Sequence, residues 1–136
     1  MQKKKMLTSE VALVLASCVN YASVILLNTI WRLDLGVLLP VLFIVTFLMG
    51  VVALDTKKAL VYAVIAVFLG TAIVTAVMVA PPILLGEGGS VIDSALNTAL
   101  NAVSKLLIFT VVISIISALL GSVVGEWMEP ITEFEV

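Results

Sequence analysis

Four stretches of the chain, residues 11–30, 35–54, 59–80 and 106–125, are continuous apolar runs without a single Asp, Glu, Lys or Arg. A helix needs roughly 20 apolar residues to cross a hydrocarbon core of about 30 Å, so each run is long enough to be a membrane span. A transmembrane barrel would instead need segments of about ten residues with alternating polarity, and these runs do not alternate. The remainder of the 136 residues is short connections and tails, which leaves no room for a soluble domain. Composition agrees, with 62% hydrophobic and 12% charged residues against about 25% charged in soluble domains. The expected fold is an all-α integral membrane protein: one membrane domain over residues 1–136, with four transmembrane helices in an antiparallel bundle.

The N-terminus raises a competing reading. Lys3, Lys4 and Lys5 precede an apolar run, and Leu15-Ala16-Ser17-Cys18 fits the pattern cut before a lipid-modified cysteine. Glu10, however, leaves seven apolar or small residues before Cys18, the lower limit for the apolar core of a signal. A polar tether should follow such a cysteine, whereas this chain continues Val-Asn-Tyr-Ala-Ser-Val-Ile-Leu-Leu. The segment 11–30 is therefore read as a retained first span, with Cys18 as a small apolar side chain in the membrane.

Loop cations orient membrane helices, the cytoplasmic side carrying the excess. Lys3, Lys4, Lys5, Lys57 and Lys58 make five on one side against Arg32 and Lys105 on the other. Both termini are expected to be cytoplasmic in a multi-pass protein of the cell membrane. Trp31 and Trp127 fall at span ends, where interfacial aromatics collect. The net charge of −2 lies in loops and tails and carries no sign of a nucleic-acid partner.

The first two connections are tight, so spans one and two, and spans two and three, are expected to be antiparallel neighbours. The third, residues 81–105, is different. Pro81-Pro82 should end the third helix, and Gly86, Gly88 and Gly89 permit an irregular return. Ser90 and Asp93 match a capping box. Asp93, Asn97, Asn101 and Lys105 then recur every four residues opposite Ile92, Ala95, Leu96, Ala99, Leu100 and Val103, the pattern of an extra amphipathic helix preceding the fourth span. A continuous helix from Val91 to Gly125 would be about 50 Å long, so it should either project or bend near Ser104.

Helices in lipid associate through small residues and interhelical hydrogen bonds. The faces expected to pack helices or dock a partner are Ser117, Gly121 and Gly125 in span four and Ala63, Ala66 and Gly70 in span three. Asn20 is the most polar side chain near a span midpoint, and a bare amide costs several kcal/mol in hydrocarbon. With Thr71 and Thr75, and with Asp93 and Asn97 outside, it makes a candidate polar path. Glu10 is expected to favour the N-terminus of the first helix.

The absence of histidine removes the commonest metal ligand and proton shuttle, and no acid pair has a recognisable catalytic spacing. No enzyme activity, metal or cofactor is expected. Charged residues mark most intramembrane ion routes, and the spans have none. The expectation is thus an accessory or scaffold subunit of a larger membrane complex, whose partners are the lipid bilayer and other membrane subunits or copies of itself. The alternative is a homo-oligomeric small transporter or channel with a polar path near Asn20, Thr71 and Thr75. The acidic tail, residues 126–136, could add to a partner as a strand.

Overall fold

The structure is a computed structural model that describes the backbone of residues 2–132 and the side chains of residues 8–128. The chain forms four helices, α1 (Gln2–Trp31), α2 (Leu35–Ala53), α3 (Thr56–Leu84) and α4 (Gly89–Thr132). All four are long and apolar enough to cross a membrane, the architecture of a multi-pass helical membrane protein.

Local chemistry sets the ends. Asp34 caps α2 by accepting the Gly36 amide, and Asp55 caps α3 by accepting the Lys57 amide, each satisfying an otherwise orphaned donor. Two connecting residues, Arg32 and Leu54, turn the chain with φ of 52° and 53°, a left-handed conformation that an L side chain adopts at a cost of about 1–2 kcal/mol.

The third connection departs from expectation. The helix does not stop at Pro81-Pro82 but continues to Leu84. Beyond it the Gly86 amide bonds the Ile83 carbonyl and the Glu87 amide bonds the Pro82 carbonyl, with Gly86 at φ +67°. This is a Schellman closure. The two prolines remove the amides that would bond the Val77 and Met78 carbonyls, yet the helix runs on until Gly86, two residues past Leu84, closes it in a left-handed conformation. After four intervening residues α4 begins, and Gly88 supplies the carbonyl that receives the Val91 and Ile92 amides. Ser90 is already inside the helix, so the expected capping box does not form. No separate amphipathic helix precedes the fourth span either. Residues 89–132 are one helix of about 66 Å at 1.5 Å per residue, and Asp93, Asn97, Asn101 and Lys105 form an exposed stripe along its first half.

The expected neighbour relation holds for α1 and α2 but not for α2 and α3. α2 packs along α4, α4 also along α3, α3 along α1 and α1 along α2, whereas α2 and α3 touch sparsely. Register shows that α2 runs parallel to α4 and α1 parallel to α3: Phe47 meets Gly121 and Val51 meets Gly125, while Cys18 and Tyr21 meet Gly70 and Glu10 meets Tyr62. A short connection forces two helix ends together but not two helix lengths. Which faces mate is decided by the small residues, and these pair alternate helices.

The core has two parts. Tyr21, Val24, Ile25, Leu38, Leu42, Val74, Val103 and Leu106 fill one end. Met49, Ala53, Ala59, Ala63 and Ala118 fill the other.

Candidate functional site

Gly50, Gly121 and Gly125 hold the seam between α2 and α4. A Cβ on Gly121 would collide with the Phe47 carbonyl, one on Gly125 with the Val51 carbonyl and one on Gly50 with the Ala118 carbonyl. Backbone touches backbone here, as small residues in membrane helices permit. Thr46 and Ser117 share a hydroxyl–hydroxyl bond across the same seam. Two protons are shared here: one hydroxyl donates to the other, and the Leu42 carbonyl at 2.8 Å from Thr46 Oγ1 and the Ser114 carbonyl at 3.1 Å from Ser117 Oγ compete for the second. Ser117, Gly121 and Gly125 are all buried, so in this arrangement they face α2 and offer no surface to a second molecule.

On the other side, Ala63, Ala66 and Gly70 are buried in α3, with Gly70 against the Tyr21 ring and the Cys18 carbonyl. The Tyr21 hydroxyl lies 3.2 Å from Thr110 Oγ1, which also reaches the Leu106 carbonyl at 2.8 Å. Toward the other end the Tyr62 hydroxyl donates to Glu10 at 2.9 Å. Glu10 is not at a helix N-terminus, because α1 begins at Gln2; its partner is a phenol on a neighbouring helix. At the same end Thr56 Oγ1 lies 3.3 Å from Ser122 Oγ and 3.4 Å from Glu126.

The residues of the candidate polar path do not share one cavity. Thr71 and Thr75 return their hydroxyls to the Val67 and Thr71 carbonyls at 2.8 and 3.0 Å. Of the five, Thr71 alone lines the groove of about 590 Å³ between α3 and α4, whose other walls are Ala, Val, Phe, Leu and Ile. Asp93 and Asn97 are exposed on α4. Asn20 is half-buried with its Nδ2 atom buried and without a partner, as are the hydroxyls of Ser17 and Ser114.

Sequence reasoning missed the hydroxyls of Ser17, Tyr21, Thr46 and Thr110. For Thr110 the signal was available: Thr110, Ser114, Ser117, Gly121 and Gly125 follow a 4-3-4-4 spacing that marks one helix face. It missed as well a polar notch at the Trp31 end, lined by Asn28, Thr29, Thr98, Asn101 and Lys105. Among the described residues no group of three His, Cys, Asp or Glu could hold a metal ion. Of the acidic tail, residues 126–132 continue α4; Glu133 and Glu135, the Glu129 side chain and most of the proposed strand lie outside the described residues. Comparison with protein-family models, with curated proteins and with solved structures finds no match to this chain.

Proposed function

We propose that the chain is an accessory or scaffold subunit of a larger membrane complex, without catalytic chemistry of its own. The observation that carries this reading is the unequal length of α2 and α4. α2 is about 28 Å long, close to a hydrocarbon core. α4 begins sixteen residues before Lys105, about 24 Å of additional helix, with the end of α3 as its companion. The tip of this extension bears Ile83, Leu84 and Leu85, which are 56%, 84% and 77% exposed. Three adjacent exposed aliphatic side chains next to a polar stripe suit contact with another protein better than contact with water. In this reading the termini are cytoplasmic, by the excess of lysine on that side, the extension points outward and the membrane is the cell membrane.

Mild extraction into native-like nanodiscs followed by mass measurement tests it. Stoichiometric unrelated subunits are expected, and Leu84→Asp with Leu85→Asp should release them while leaving the chain folded. A homogeneous homo-oligomer without other subunits would overturn the reading. It would favour the transporter alternative, which draws on the unpartnered Asn20 amide and the Ser17 and Ser114 hydroxyls; flux through the wild type and Asn20→Leu would then decide.

A further inference from the structure

Lys105 is the one cation of the chain beyond Lys58. It lines a notch of about 430 Å³ between the C-terminal end of α1 and the middle of α4, together with Asn28, Thr29, Thr98 and Asn101, and the lining includes no carboxylate. Its depth in the membrane follows from helix length. Lys105 and Glu126 are 21 positions apart on one helix, about 32 Å, which matches the hydrocarbon thickness. Trp31, three residues past Asn28, is 73% exposed at the same end, as interfacial tryptophans are. The notch therefore opens at the level of lipid phosphates.

We propose that this notch binds the headgroup of an anionic phospholipid, with the phosphodiester on Lys105 and a hydroxylated headgroup on Asn101 and Asn28. The single ammonium matches the single charge of a phosphodiester. Asn28 uses one Nδ2 hydrogen on the Leu33 carbonyl at 2.9 Å, which orients its amide, and its remaining hydrogen and carbonyl suit hydroxyl groups. A headgroup bearing its own ammonium would find no acid in this lining, so glycerol-type headgroups are preferred over ethanolamine or choline. The apolar side chains Ala102 and Leu106 complete the wall where an acyl chain begins. This assignment stands whether or not the chain joins a larger complex.

Native mass spectrometry of the delipidated full chain tests it, with phosphatidylglycerol, phosphatidylethanolamine, phosphatidylcholine or inorganic phosphate added separately. Phosphatidylglycerol adducts are expected to exceed the other lipids several-fold. Lys105→Gln should cut that preference roughly fivefold, the share of one basic residue at a membrane surface; Asn101→Ala should weaken it less, Lys105→Arg should retain it and Lys58→Gln should leave it unchanged. The proposal is overturned if both Lys105→Gln and Asn101→Ala keep the full preference, or if Lys58→Gln lowers it as much. An inorganic phosphate adduct that Lys105→Gln abolishes, without lipid preference, would also overturn it by assigning the notch to a soluble anion. Should Lys105→Gln fail to fold, Lys105→Arg and Asn101→Ala still decide the matter.

Discussion

The seam between α2 and α4 and the seam between α1 and α3 are both parallel and both lined by small residues, yet different atoms close them. In the first, three glycines admit backbone carbonyls of the facing helix. In the second, Gly70 admits chiefly the ring of Tyr21, and a tyrosine hydroxyl joins each end to a neighbour, Tyr62 to Glu10 and Tyr21 to Thr110. A carbonyl in a helix cannot retreat without moving the helix, whereas a ring can tilt. The first seam should thus be rigid and intolerant of added volume, and the second adaptable.

The strongest way to break this contrast is Gly121→Val. It should separate α2 from α4 and lower stability by about 3 kcal/mol or more, read as an early midpoint in detergent unfolding; a loss under 1 kcal/mol would mean that the seam repacks freely. Gly50→Ala comes next at about 2 kcal/mol, while Gly70→Ala should cost roughly half as much because the Tyr21 ring can give way. Equal losses for these two would erase the distinction between the seams. A smaller effect is expected from the hydroxyl pair: in a double-mutant cycle of Thr46→Val and Ser117→Ala the coupling should be about 0.6 kcal/mol, the typical value for such bonds in membrane helices. Smallest, and of opposite sign, is Leu54→Gly. Relieving the left-handed residue between α2 and α3, less the entropy that glycine loses on folding, should raise stability by about 0.5 kcal/mol in either seam's background.

The number of helices was legible in the sequence because a bilayer sets a length that an uncharged run either meets or does not. Their ends were less so. Pro81-Pro82 was read as a stop, but the hydrogen bonds that close α3 reach Gly86 and Glu87, and a Schellman closure competes with proline in a way no single residue reveals. Ser90 lost its capping role for a related reason, since Gly88 already supplies the first carbonyl of α4. The glycine faces were visible as residue types and spacing. Their mates were not, because the register between Phe47 and Gly121 depends on shape along two helices far apart in the chain. The notch needed both ends of such a relation, Asn28 on α1 and Lys105 on α4, and a pattern confined to one helix could supply only half.

Sequence separation has a further consequence, for biosynthesis. Thr46 and Ser117 are 71 residues apart, so the face of α2 that carries Thr46 and Gly50 emerges long before α4 exists to cover it. At roughly 5–20 residues per second, that interval is about 4–14 seconds, during which lipid or a chaperone must occupy the place of the last helix. Closure of the α2 and α4 seam is then the final assembly event, and a chain halted before Ser117 would present an adhesive glycine-bearing surface to every helix inserted nearby.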